Sequence, residues 1–323
     1  MSDQTVHIRA MQEKDLEEAD KIMRIAFGTF LGLPEPIKFL GDADYVRTRF
    51  KADPSAALIA ETDDNNKLVG SNFALDWGSV GIFGPLTIHP DYWDKGVARA
   101  LLVETMKIFQ RWGSKHLGLF TFAQSSKHIH LYQKFDFWPR YLTAIMSRSI
   151  GEKGAMNGSE NQSSRYSSLA QAQKPGVVLE SRNLTNLIFE GLDLSKEIQS
   201  VDQQNLGDTI LLRDSNGELS GIAVCHIGAG SEAGSGNCYV KFGGIRPGDS
   251  PDKLFNQLLN AIDQFARSKG LLRTIAGVNM GRHGAYRMMI EQGYRTDLQG
   301  VAMHRPNEPG YNLPDVYIID DWR

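Results

Sequence analysis

Cysteine is scarce in this 323-residue chain, with only Cys225 and Cys238 present. Two thiols so placed make neither a disulfide framework nor a zinc site. No apolar run approaches the ~18 residues a membrane span requires. Neither charge sign is in excess: 35 Lys and Arg stand against 38 Asp and Glu, a formal net charge of −3. The chain therefore lacks the basic stripe that phosphate contacts would need, so no nucleic-acid partner is expected, and it has no polybasic membrane anchor. The opening "MSDQTVHIRAMQEKDLEEADK" is charged and without an apolar core, which argues against a signal peptide. A cytoplasmic protein with no membrane partner is expected, and the length suggests two domains.

What is present is a regular alternation of strands and helices. "VHIRAM" reads as a strand, and the helix after it sets Leu16, Ala19, Ile22, Met23, Ala26 and Phe27 on one face. "AALIAET" and "KLVGSNFALDW" form a hairpin pair, "FGPLTI" a further strand, residues 96–112 a helix, and "LGLFTF" a strand. "HIHLYQKF" is helical and "YLTAIMSR" closes the block. Residues 151–176, rich in Gly, Ser, Asn and Gln, cannot build a core and read as a linker. The second half repeats the order, with Asn216-Gly217 as a hairpin turn. The halves align at one constant offset, Pro90 on Pro247, Leu101-Leu102 on Leu258-Leu259, Gly113 on Gly270 and Phe137 on Tyr294. An internal duplication is expected.

"GPLTIHPDYWDKGVARALL" carries the chemistry of the first half. A strand entering a helix through a glycine loop makes an anion site, because the first helical turn has unpaired N–H groups at the positive end of the dipole. Asp94, Lys95, Gly96, Val97 and Ala98 would supply those donors, Gly96 and small Ala98 keeping the approach open, with Lys95 adding charge. Read alone, Gly96 equally well just starts a helix. No G-x-G-x-x-G is present, so a dinucleotide-binding fold fits less well. One strand downstream lies "HLYQKFDF", whose Tyr132 would point over the end of the first strand or simply pack in the core.

Together these residues resemble the GNAT superfamily of acyl-CoA-dependent N-acetyltransferases. "LTIHP" and "WDKGVA" stand for the family's V-x-P strand end and its Q/R-x-x-G-x-G/A pyrophosphate loop, and "SSKHIHLYQKFDF" for N-x-x-A-x-x-L-Y-x-x-x-G-F. The likeness covers residues 6–148. Trp93 replaces the Gln/Arg, Ser125 the Asn, His128 the Ala and Asp136 the Gly. The resemblance implies an α/β protein of two GNAT-like domains, each a twisted, mixed, mainly antiparallel sheet flanked by helices. Residues 1–150 would be the acetyl-CoA-binding, catalytic domain, 151–176 the linker and 177–323 a degenerate copy. In that copy Lys253 and Phe255 replace Gly96 and Ala98, bulky Phe255 intruding on a pyrophosphate, and Met289 replaces Tyr132.

The resemblance implies direct acetyl transfer to a primary amine, carried by a small molecule or a peptide. CoA would be held by Leu86, Thr87, Ile88, Trp93, Asp94, Lys95, Gly96, Val97, Ala98, Arg99 and Ser125. A backbone N–H near Ile88 would hold the developing oxyanion, and Tyr132 would protonate the departing thiolate. No carboxylate occurs between Asp76 and Asp91, so Asp76 or His89 is the candidate base. Phe27, Phe30 and Leu31 would line an apolar acceptor pocket, unless they are core. No metal is expected: His116, His128 and His130 lack ligand spacing and read as solvated surface. The second half would shape the acceptor cleft, form a homodimer interface, or both. From a different class, a non-catalytic acetyl-CoA-binding regulator or scaffold also fits the missing carboxylate and Trp93.

Overall fold

The computed structural model describes residues 6–63, 66–151 and 163–323. The first half runs β1 (Val6–Ala10), α1 (Leu16–Phe30), α2 (Tyr45–Ala52), β2 (Ala57–Thr62), β3 (Leu68–Trp77), β4 (Val80–Phe83) and β5 (Thr87–Ile88). It continues with α3 (Val97–Trp112), β6 (His116–Thr121), α4 (Ser126–Gln133) and β7 (Trp138–Ser149). The second half runs β8 (Ser163–Arg165), α5 (Lys174–Ile188), α6 (Ser195–Gln204), β9 (Gly207–Arg213), β10 (Leu219–Gly228) and β11 (Gly234–Ile245). Then come α7 (Pro251–Ser268), β12 (Arg273–Asn279), α8 (His283–Glu291), β13 (Arg295–Arg305) and β14 (Ile318–Ile319). The chain is thus a mixed α/β protein.

Local sequence accounts for the main helices. In α1 the apolar stripe Leu16, Ala19, Ile22, Met23 and Ala26 is buried. Gly96 and Gly113 flank α3 in left-handed conformations, φ +80° and +70°, which glycine adopts without a Cβ penalty. The constant offset between the halves survives in the elements: α4 maps onto α8, β6 onto β12, and β7 onto β13.

One sheet of order β1-β2-β3-β4-β6-β13-β7-β12-β11-β10-β9-β8 runs through both halves. The halves exchange their last strands. Antiparallel β13 lies between β6 and β7, and β7 in turn pairs antiparallel with β12. The sequence break at residue 150 is therefore not a break in the sheet. The core crosses it as well, with Trp77, Val80 and Ile82 packed in one cluster with Leu211, Ile222, Phe242 and Trp322.

Of the stretch expected as linker, residues 152–162 lie outside the described ones. The remainder folds: β8 pairs with β9, and Tyr166 is buried. Tyr166 is the large apolar side chain that anchors this otherwise polar stretch. Ser167 Oγ donates to Asp208 and Lys174 pairs with Asp202, so polar residues here are satisfied by the second half.

Candidate active site

The site begins with a broken strand. β4 pairs with β3 over Ala74–Trp77, whereas β5 pairs with β3 further back, at Gly70 and Ser71. Gly84 and Pro85 separate the two pieces, and proline has no N–H to offer a ladder. On the other side β4 runs parallel to β6 only from Val80↔His116 to Ile82↔Gly118. Beyond Gly118 the strands part, and β6 is paired only with β13. No described strand fills the gap between β5 and the end of β6.

The gap exposes useful backbone. His89 N–H donates to Val69 O at 2.9 Å, and amide directions alternate along a strand, so the Ile88 N–H faces the gap. Ile88 O accepts the indole N–H of Trp93 at 2.8 Å. Trp93 therefore braces the loop against the strand end, a contact the sequence did not reveal. Thr87 is buried and its hydroxyl lies 3.0 Å from that of Ser71, while Leu86 is half-buried.

At the mouth of the gap stands the N-terminus of α3. Its N-cap is Gly96, no side chain caps it, and its first turn carries no acid. Val97 is buried, Ala98 half-buried, and Arg99 exposed. Lys95 lies 4.9 Å over the Tyr92 ring, and Asp94 pairs with Lys127 of α4 at 2.6 Å. Free N–H groups, an exposed glycine and nearby cations fit a phosphate.

Tyr132 sits at the vertex. Its ring packs edge-on to Phe83, the last residue of β4, at 5.7 Å. The side chain is buried, which pushes its phenol pKa above the usual value, so it stays protonated. No described group hydrogen-bonds its hydroxyl. Ser125, buried, is the N-cap of α4.

Phe27 and Phe30 from the end of α1 meet Phe122, the residue after β6, at 6.2 and 5.0 Å. Phe27 also stacks on Phe39 at 5.4 Å, and Phe30 lies 5.1 Å from the His128 ring. Leu31 is exposed at the end of α1. Phe39, Phe122 and His128 are members of this aromatic wall that sequence reasoning missed. His128 reaches it because α4 turns that face toward α1, and burial, then Lys127, lowers its pKa below the usual imidazole value. His116 is no surface residue either: it is buried 2.9 Å from His304 of β13, and desolvation holds its pKa down to about 4. His130 is exposed.

The structure does not bring the candidate bases together. Asp76 lies at the closed end of β3, six residues from the Gly70–Ile88 pair, which at about 3.3 Å per residue is roughly 20 Å away. It is held there by Lys196 at 2.9 Å and by the Gly78 N–H. His89 borders the gap, but its Nδ1 accepts the Asp91 N–H at 3.3 Å.

A buried charge cluster fixes the strand break. Arg49 of α2 donates to Gly84 O at 2.6 Å and to Glu232, just before β11, at 2.9 and 3.1 Å. Glu232 also pairs with Lys241 at 3.0 Å, and Lys241 with Glu197 at 3.2 Å. Burial alone would raise the Glu232 pKa, but Arg49 and Lys241 hold it well below the carboxylate range.

The second half builds the same frame and closes it. β11 runs parallel to β12 from Asn237 to Val240, and the two then part. There β14 pairs with β11 at Gly243 and Gly244, so the chain's own backbone fills the gap. Phe255 points into the core, edge-on to Tyr317 at 5.4 Å, rather than toward a phosphate. α7 carries Asp252 in its first turn, which accepts the Tyr317 hydroxyl. Met289 is core. Among the described residues no group of three or more His, Cys, Asp or Glu is placed to hold a metal ion. No described helix is long and apolar enough to cross a membrane.

Residues 21–137 match the family model described as the Acetyltransferase (GNAT) family. No curated protein matches the chain. Among solved structures, a candidate acetyltransferase from Pyrococcus horikoshii shares 14% identity at TM-score 0.68, covering 98% of this chain and 95% of that one. A GCN5-related N-acetyltransferase from Sphaerobacter thermophilus shares 13% at TM-score 0.58, covering 93% and 95%. The parted sheet with a helix N-terminus at its mouth belongs to the fold these structures share, and residues 21–137 of the N-terminal half are similar to the GNAT family. The whole molecule has the tandem fold: it is similar, at 10% identity and TM-score 0.54 over 93% of this chain and 98% of the other, to a tandem GNAT protein from the clavulanic acid biosynthesis pathway.

Proposed function

We propose that the protein is an acetyl-CoA-dependent N-acetyltransferase that moves an acetyl group directly to a primary amine. The observation that carries this reading is the gap between β5 and β6, with the Gly96 helix start at its mouth and Tyr132 at its vertex. Residues 94–99 would hold the pyrophosphate through the first-turn amides of α3. The gap-facing edge of Leu86–Ile88, apart from Ile88 O, which Trp93 occupies, would take the pantetheine arm as an added strand, and Ser125 would border it. The Ile88 N–H would face the charge that develops on the acyl oxygen, where a preorganised donor stabilises most. Tyr132, protonated and without a competing partner, would supply a proton to the leaving sulfur.

The acceptor is read as an amine with an apolar or aromatic part, since Phe27, Phe30, Phe39 and Phe122 cluster where the end of α1 meets the residue after β6. The second half supports the cleft through Arg49–Glu232 and does not itself hold CoA, because β14 and Asp252 occupy the corresponding places. Release of free thiol from acetyl-CoA across an amine panel tests the reading. Amine-dependent release that collapses in Tyr132→Phe supports it. Tight CoA binding without release for any amine would instead favour a non-catalytic role.

A further inference from the structure

Direct transfer to an alkylamine requires that the ammonium first lose a proton, and among the described residues one side chain beside the proposed cleft is suited to that task. We propose that His128 is the proton acceptor for the incoming ammonium. The inference rests on the transferase reading above. His128 precedes Tyr132 by four residues on α4, so both side chains lie on one helix face. Its ring is 5.1 Å from Phe30, which itself lies 5.0 Å from Phe122. The imidazole thus lies on the Tyr132 face of α4 and against the aromatic wall proposed for the acceptor.

The other nearby bases are occupied or remote. Asp76 is ion-paired at the closed end of the sheet, and the Nδ1 of His89 is taken by the Asp91 N–H. His116 and His304 bond to each other. No described group hydrogen-bonds either nitrogen of His128. The charged group beside it on α4 is Lys127, which is paired with Asp94 of the loop. α1 presents Phe30 to it and the segment after β6 leads to Phe122, neither titratable. Burial, with Lys127 second, keeps the imidazole neutral at neutral pH, with a lone pair to offer.

The step balances without another reactant. The ammonium gives one proton to an imidazole nitrogen, and the freed lone pair bonds to the acyl carbon. As the C–S bond breaks, Tyr132 passes its proton to sulfur and takes one from the new amide nitrogen. The imidazolium then releases its proton to water. Ammonium and thioester become amide, thiol and one proton.

Two probe amines separate this role from packing: phenethylamine, protonated at neutral pH, and aniline, which is neutral. With the full chain and acetyl-CoA, His128→Gln should lower kcat/KM for phenethylamine by about 10²-fold, the lower end of general-base effects, but for aniline by no more than about threefold. A protonated imidazole cannot accept, so wild-type activity on phenethylamine should fall as pH drops through the lowered pKa of His128, below about 6.5. That limb should vanish in His128→Gln and in a second variant, His128→Asn. Equal losses on both amines, or an unchanged acid limb, would overturn the proposal while leaving the transferase reading in place. A wild-type chain that acetylates neither amine, nor any other in the panel, would overturn both.

Discussion

Tyr132 is a core residue as well as the proposed proton donor. Its ring packs on Phe83 at the point where β4 ends, and its hydroxyl has no described partner. Tyr132→Phe keeps the ring and removes the proton, so kcat should fall by about 10²-fold or more while CoA affinity changes less than about twofold. Steady-state kinetics beside a CoA titration checks this; an unchanged kcat would leave the tyrosine a packing role only. Gly96, Ala98 and Tyr132 were legible in the sequence because their spacing from a strand end is local. His128 was not, since its contact with Phe30 spans about a hundred intervening positions and polar residues on a short helix read as solvated. The position of Asp76 far from the gap was hidden for the same reason: sequence shows that a carboxylate lies on the strand, not which end of the sheet it reaches.

At the scale of elements, α2 and the segment before β11 hold the break in the central strand. Arg49 ties Gly84 O to Glu232, and Lys241 supplies a second cation. Glu232→Gln leaves buried Arg49 without its counter-charge, while Lys241 keeps Glu197, and should cost about 3–5 kcal/mol, read as a loss in chemical denaturation. The pH sense follows from the lowered pKa of Glu232. Its stabilisation is present above the unfolded value of about 4.3 and is lost as pH falls below it. The wild type should therefore weaken on acidification more steeply than Glu232→Gln, and parallel curves would show that the charge contributes nothing. Much of the strand and helix order was readable from periodicity, but α2, α5 and α6 were not read from it. The role of β14 was not, because two residues filling a gap carry no periodic signal.

For the molecule as a whole, strand exchange makes the halves one folding unit. Residues 1–150 alone would lack β13 between β6 and β7, leaving both strands with open edges. The segment after β13 also crosses over: Trp322 lies on Gly118 of β6, and Arg323 O accepts from Arg49. Fragment 1–150 should be insoluble or unfolded when expressed alone and should recover on co-expression with 151–323. A folded fragment with full activity would contradict this. The duplication was legible as a constant offset, but an exchange leaves the order of elements along the chain unchanged and so leaves no trace in it.

The same asymmetry supplies the most direct test of the central claim, that one half alone is an acyl-CoA site. The first half keeps an open gap and an uncapped, acid-free α3 N-terminus, whereas the second closes its gap with β14 and places Asp252 at α7. Calorimetric titration of CoA into the full chain should give one site per chain. Gly96→Glu, which puts a carboxylate at a left-handed position facing the phosphates, should raise Kd at least about 100-fold, a difference of about 2.7 kcal/mol. Lys253→Glu should leave Kd within about twofold. Two sites per chain, no binding, or binding lost through Lys253 rather than Gly96 would contradict the account.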